Sequence, residues 1–404
     1  MRTFTVCRGL LLLVGLSLLL LLTGCWDRTE INDVALITGA AIDKVDDSHI
    51  LLSVQIFVPR STPGSGGGSG MSGQSSNVGN QATIVTSAKG ENIADALSHI
   101  QERLPRTLFW GHAEVFIFSE AVAKDGIRDE IDYLMRAPQP RERAFMFVAK
   151  DNARKILENQ TFLERNSSEA MREVAKEKLS LSVTLADLAQ MLVDEPGAAA
   201  LPCIEMLPAS SEKNYDRVPT PINGTAIFRN GKMVGAIDEF TTRGVLWIRD
   251  EIKQAVITVN PPEGNGTVSL RLITSHTKLK PMIRNGKWSI DIQIRTENNA
   301  LQNSTKYKIS SDPQALKTIQ MAMNDDIEER VVLALNQIQK GMGADIFDFA
   351  GTFHRAYPKQ WQQNKANWDE IYPNVEVTIH PNATIQRPGL TSIKEVEEKE
   401  RSGQ

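Results

Sequence analysis

The stretch Asp312-Pro313-Gln314-Ala315-Leu316 opens a run that continues to Gly341. Its apolar residues Leu316, Ile319, Met323, Ile327, Val331, Leu335 and Ile338 recur at steps of three and four. That period puts them on one face of a helix. Asp312 suits the N-cap and Pro313 the first helical position, so a helix is predicted from 313 to Lys340, stopping at Gly341. Just upstream, Trp288, Ile290, Ile292 and Ile294 alternate with polar residues over Lys287 to Thr296, the period of a half-buried strand. Asn285-Gly286 before that strand is a two-residue hairpin signal. A hairpin followed by one long amphipathic helix implies a helix laid across a curved sheet, and hence an α+β fold.

Working outward, Thr225–Phe228 and Lys232–Ile237 flank a second hairpin signal, Asn230-Gly231. Phe240 to Ile252, carrying Leu246-Trp247, reads as a short helix or turn. Val256–Val259, Val268–Thr274 and Thr277–Ile283 read as strands. Beyond the long helix, Phe347, Phe349, Phe353, Tyr357, Trp361 and Trp368 form an aromatic cluster. Aromatics at mixed spacing beside a helix are read as core rather than as a partner groove. Val375 to Ile385 is a last strand, and the charged residues 390–404 are expected to be a disordered tail.

The first half alternates strands and helices. Val34–Ile42 and Ile50–Val58 are β-branched runs. Between them and Ala82–Val85 lie residues 61–81, with seven glycines and no charge, expected as a flexible surface loop. Helices are predicted at Glu91–Leu104, Glu120–Met135, Ala153–Leu157, Glu169–Leu179 and Leu185–Val193, and strands at Leu108–Phe118 and Ala144–Val148. Asp194-Glu195-Pro196-Gly197 ends the series. The expected organisation is multi-domain, with mixed or antiparallel sheets: an N-terminal α+β domain over 25–205, a hairpin-rich middle domain over 206–300, and a C-terminal α+β domain with the long helix over 301–389.

At the N-terminus, Arg2 and Arg8 precede an apolar core from Leu10 to Leu22, and Leu22-Thr23-Gly24-Cys25 follows. This is the layout of a secretory signal over residues 1–24 with a small-residue cleavage site. A cysteine directly after it reads as a bacterial lipobox, whose sulfur takes a diacylglyceryl group. The apolar run is short for a spanning helix, which needs about 20 residues. Two acyl chains anchor a protein stably where one does so only marginally. Trp26 and Asp27 adjoin this lipid site and are expected close to the membrane or a partner. There the Trp26 ring suits headgroup depth, unless it packs under the first strand instead.

The chain has 404 residues and a net charge of −4; losing residues 1–24 removes two arginines and no acid, giving −6. A mildly acidic body argues against nucleic acid, whose binding draws on clustered Lys and Arg. Of three cysteines, Cys7 leaves with the signal and Cys25 takes lipid. Only Cys203 remains, so no internal disulfide is possible. Its apolar surroundings, Leu201-Pro202-Cys203-Ile204, predict a small buried hydrophobe. The six histidines, at 49, 99, 112, 276, 354 and 380, show no pair at metal-ligand spacing. His112 is read as fixing a turn, with Glu114 as its partner or facing water. Gly68-Ser69-Gly70-Met71-Ser72-Gly73 matches a dinucleotide pattern only in letters, for no helix follows it. Ser210-Ser211-Glu212-Lys213 lacks the companion motifs of a Ser-Lys hydrolase. No catalytic, metal or cofactor residue is therefore assigned.

Several separated motifs resemble, in order, the Ger(x)C spore germination lipoproteins, the C subunits of nutrient germinant receptors. They are Cys25-Trp26-Asp27 with Glu30-Ile31-Asn32; Phe109-Trp110-Gly111-His112 followed by Glu114-Val115-Phe116-Ile117-Phe118; and Arg141-Glu142-Arg143-Ala144. Gly224-Thr225-Ala226-Ile227-Phe228, Gly231-Lys232-Met233-Val234-Gly235 and Thr242-Arg243-Gly244-Val245-Leu246-Trp247 follow. Most specific are Ala344-Asp345-Ile346-Phe347, Phe353-His354-Arg355, Tyr357-Pro358, Trp361 and Asn367-Trp368.

The resemblance implies three α+β domains and a non-catalytic subunit without cofactor, lipid-anchored on the outer face of the cell or spore inner membrane. It also implies polytopic A and B subunits as partners, with nutrient binding ascribed to the B subunit. Two alternatives from other classes are a lipid-anchored solute-binding protein and a cell-wall enzyme. The first needs a cleft between two doubly wound lobes. The second needs an acid/base or metal constellation.

Overall fold

The computed structural model describes residues 33–58, 83–159, 164–206 and 222–387. The signal segment, Cys25, Trp26 and Asp27, the Gly/Ser run, Ser210–Lys213 and the tail 390–404 lie outside the described residues.

Strands β1 (Val34–Lys44), β2 (Ile50–Phe57) and β3 (Thr83–Gly90) form an antiparallel meander. β4 (Thr107–Phe109) and β5 (Val115–Ser119) both pair parallel to β1. β6 (Phe145–Ala149) and β7 (Ala198–Ile204) continue the parallel run. Parallel neighbours need crossovers, and the helices between them supply these. All five residues of β5 and all seven of β7 are buried, as expected of strands covered on both faces. The helices start on side-chain caps at Asn92, Asn152, Asn166 and Thr184, each accepting from a backbone N–H in the first turn. The helix expected at 120–135 is two, Glu120–Asp125 and Arg128–Arg136, broken at Gly126 with φ +139°.

β8 (Ile222–Arg229) pairs antiparallel with β7, and β9 (Lys232–Ile237) with β8. The first sheet thus has nine strands, ordered β3-β2-β1-β5-β6-β7-β8-β9 with β4 beside β1. The first hairpin of the region expected as a middle domain thus pairs into the N-terminal sheet. The non-local pairing of β7 with β8 decides this.

The second sheet is β10 (Val256–Val259), β11 (Val268–Arg284), β12 (Lys287–Asn303) and β13 (Glu376–Arg387), in that order. β11 is one 17-residue strand where two were expected, joined through an irregularity between Leu272 and Thr274. β13 runs parallel to β12, and the long helix makes the crossover. Asp312 caps that helix, which is α-helical over Pro313–Ala334. It then widens into a π-helix over Leu335–Met342 and ends at Gly343, in the left-handed region, rather than at Gly341. Ile319, Met323, Ile327, Val331, Leu335 and Ile338 are buried as the period predicts. The wider turn also brings Gln339 inside, where its Nε2 donates to the carbonyls of Tyr372 and Val375. The mixed α/β, two-sheet architecture agrees with the expected fold class.

The helix Glu239–Ile248 lies between the sheets and crosses the long helix. Their backbones meet at Gly244, where an added Cβ would overlap the Arg330 carbonyl oxygen. Arg330, buried there, pairs with Asp326 at 2.7 Å and lies 3.8 Å over the Phe240 ring. Replacing Gly244 by Val forces these helices apart. Overpacking of this kind costs about 1–3 kcal/mol, and urea denaturation is expected to show that loss for Gly244→Val. Unchanged stability would mean that the helices do not cross so closely.

Candidate functional site: the Asp345 node and the seam between the sheets

After the π-turn the chain enters Ala344-Asp345-Ile346-Phe347, all buried. The Asp345 carboxylate accepts from the Phe349 and Ala350 backbone N–H groups, at 3.0 and 2.7 Å, and from Trp368 Nε1 at 3.1 Å. The two amides open the helix Phe349–Ala356, so the carboxylate sits at its positive end. Burial away from water pushes the Asp345 carboxyl up to about 6, against the opposing pull of its three donors. Ala344 is fixed as well, its carbonyl accepting from Tyr372 Oη at 3.0 Å.

Around this node the aromatic cluster is core, as expected. Trp288 of β12 meets Phe353 edge-on at 4.7 Å between ring centroids, and Trp368 meets Trp361 at 5.1 Å. Such pairs add about 0.5–1.5 kcal/mol each beyond their area burial. The cluster also reaches the first sheet. Trp361 Nε1 donates to Glu195 Oε2 at 2.6 Å, and Lys365 pairs with Glu195 Oε1 at 3.0 Å. Arg229 at the end of β8 pairs with Asp369 at 2.7 Å. Arg249, just past the Gly244 helix, donates to the Ile346 carbonyl at 3.1 Å. The motif residues from 344 to 369 therefore lock the second sheet onto the first. In the sequence Glu195 reads only as part of a helix stop and Arg249 only as part of a short helix or turn, because nothing local to either shows a partner more than 90 residues away.

The N-terminal motif is a turn. Trp110–His112 forms one 3₁₀ turn, Gly111 is crossed by the Phe109 ring, and the Trp110 N–H donates to Gln139. Trp110 packs against Phe116 at 5.8 Å. Burial first, and then the Arg141 charge, hold His112 below its ordinary range. Glu114 pairs with Arg172, which also meets Glu169 and Glu173, so His112 is not the partner of Glu114. Cys203 is buried on β7 opposite Val148, and burial pushes its thiol up to about 12. It behaves as the small hydrophobe expected.

A cleft of about 400 Å³ opens between the β1–β2 and β8–β9 turns, lined by Lys44, Asp46, His49, Asp125, Arg128 and Lys232. Its charges largely cancel internally: Lys44 meets Asp47 and Asp125, and Asp46 meets His49 and Lys89. Among the described residues no group of three or more His, Cys, Asp or Glu is placed to hold a metal ion. Nor is any described helix long and apolar enough to cross a membrane.

This two-sheet body has a counterpart among solved structures. The crystal structure of the GerBC protein matches it with a TM-score of 0.56 at 18% identity, covering 86% of this chain and 97% of that one. Residues 27–206 match the family described as spore germination protein N-terminal domain. Residues 223–389 match the one described as spore germination B3/GerAC like, C-terminal. The putative spore germination protein YfkR of Bacillus subtilis (strain 168) is 30% identical over 378 residues, 93% of this chain and 95% of that protein. Spore germination protein KC of the same organism is 28% identical over 401 residues, 94% and 96% of the two chains. The chain belongs to the spore germination B3/GerAC-like family.

The Asp345 carboxyl gives the seam a measurable pH signature. Its ordinary pKa is 3.8 and its native value is raised to about 6. Between these values the native state holds a proton that the unfolded state has released. Stability from this group is therefore full below about pH 4 and is lost as pH rises through 6, by roughly 3 kcal/mol. Asp345→Asn cannot ionise. The stability difference between wild type and variant is expected to shift by about that amount between pH 4 and pH 7.5 in urea titrations. A constant difference would show that this carboxyl is not desolvated.

Proposed function

We propose that the chain is the non-catalytic C subunit of a nutrient germinant receptor. On this reading it is tethered by lipidated Cys25 to the outer face of the spore inner membrane and acts there with polytopic A and B subunits. The observation that carries the reading is the match of both halves of the chain to germination families, with relatives aligned over more than nine-tenths of their length. The placement of Cys25 after Leu22-Thr23-Gly24 supports the tether. The seam supports the absence of turnover in a positive way: its titratable groups are spent on helix starts, indoles and cross-sheet pairs. A subunit of this kind works by holding a shape against its neighbours.

Cys25→Ala is expected to abolish incorporation of labelled fatty acid and to slow nutrient-triggered germination. A full nutrient response from that variant would show the tether to be dispensable. The mature wild-type protein should expose one titratable thiol, Cys203, and only after denaturation; three thiols would mean an unprocessed chain. Crosslinking in spore membranes should capture polytopic proteins. In a thermal-shift series amino acids and nucleosides should leave the melting temperature unchanged. A saturable rise would assign the nutrient site to this subunit, because binding to the native state alone stabilises it.

A further inference from the structure

The β11–β12 arm turns two different faces outward and inward. Inward, Leu279, Ile290, Ile292 and Ile294 are buried or half-buried against the core. Outward, the even residues of β11 from Thr274 and the odd residues of β12 are exposed or half-buried, and the exposed cations among them are Lys278, Lys280, Arg284, Lys287 and Arg295. The only acids in the matching outward positions of β12 and β13 are Asp291, Glu297 and Glu376. Asp291 lies 3.0 Å from His380, and Glu376 lies 3.8 Å from Lys287. Among the described residues, Lys278, Lys280, Arg284 and Arg295 have no carboxylate at ion-pair distance.

Part of this distribution works against folding. Arg284 stands directly opposite Lys287 across the Asn285-Gly286 turn, whereas Lys280 faces Asp291 and His276 meets Asp250 at 3.1 Å. Like charges in directly opposed positions destabilise a sheet. The chain as a whole is acidic, with a net charge of −4, so the positive face is segregated rather than typical. Its shape is equally informative. The face is an open sheet surface, and its nearest aromatic, Trp288, is turned inward against Phe353 and Trp368. Protein interface cores are rich in aromatics and depleted in Lys, which this face is not. A plane of long cationic side chains without an apolar anchor suits an extended anionic plane.

We propose that the outer face of the β11–β12 arm lies against anionic phospholipid headgroups. The negative surface potential of such a bilayer attracts Lys and Arg and fades within a Debye length, so the face must come close to it. The proposal draws on the anchored reading only for proximity to a membrane.

The test reconstitutes the full chain into vesicles of phosphatidylcholine alone, or of phosphatidylcholine with three parts in ten phosphatidylglycerol. A membrane-impermeant amine reagent then labels lysines, read by mass spectrometry as Lys278 and Lys280 relative to Lys359, which is exposed outside the sheet. The relative labelling is expected to fall at least threefold on the anionic vesicles and to recover in 1 M salt. Arg284→Glu with Arg295→Glu, both at exposed positions, should remove the protection while leaving both reporter lysines in place. Equal labelling on the two lipids overturns the proposal, as does protection that arises only with the polytopic partners present. Flotation with anionic vesicles alone would refute the tether and support the face. Flotation with neither would overturn both.

Discussion

Asp345 is a carboxylate buried without a cation. Removing such a group from water costs several kcal/mol unless donors replace the lost hydration. Two amides at the start of a helix and one indole N–H replace it here. Each of those donors is thereby fixed in place. The helix Phe349–Ala356 must begin beside Asp345, and Trp368 must return to it from 23 residues further on. The aromatic packing under β12 follows from those two requirements, since Phe353 lies on that helix and Trp361 stacks edge-on with Trp368. The π-turn immediately before Asp345 belongs to the same arrangement. It brings Gln339 inward, where its Nε2 donates to the Tyr372 and Val375 carbonyls in the core.

From the node the constraint passes to the first sheet through a few polar contacts. Glu195 takes the Trp361 indole, Arg249 the Ile346 carbonyl, and Arg229 the Asp369 carboxylate. The helix crossing at Gly244 adds close packing between these contacts. Exposed ion pairs in isolation add at most about 1 kcal/mol each. Here they flank a buried aromatic layer and a close helix contact, so they set the orientation of two bodies that burial already holds together.

Much of this fold is legible in the sequence, because periodicity is local. The stripe from Leu316 to Ile338, the alternation at 288–294 and the hairpin turns at Asn230-Gly231 and Asn285-Gly286 all declare themselves within a few residues. The sheet to which a strand belongs is not local. Ile222–Arg229 looks like half of a free hairpin, and only its pairing with Ala198–Ile204 makes it part of the first sheet. The break at Gly126 is visible as a glycine, but its cause is tertiary: the next residue's N–H bonds the Gly231 carbonyl in the β8–β9 turn. Asp345 stands out as an acid among apolar neighbours. Its three donors, however, are set by the helix start and by a tryptophan 23 residues away, which no window of sequence displays.

The continuity of the first sheet bears on how a tether could act. β1 begins at Val34 and sits inside the sheet, paired with β2 on one side and with β4 and β5 on the other. Eight residues, 26–33, separate Cys25 from that strand. Even fully extended, at about 3.3–3.6 Å per residue, they span only about 30 Å. An acyl group on Cys25 would therefore hold the interior of the sheet, not a loose edge, within about 30 Å of the bilayer. Because β1 is hydrogen-bonded on both sides, a pull on that short leash is shared across nine strands rather than peeling one away. The Glu195, Arg229 and Gly244 contacts then carry the constraint to the second sheet. A displacement at the membrane would thus move both sheets as one body.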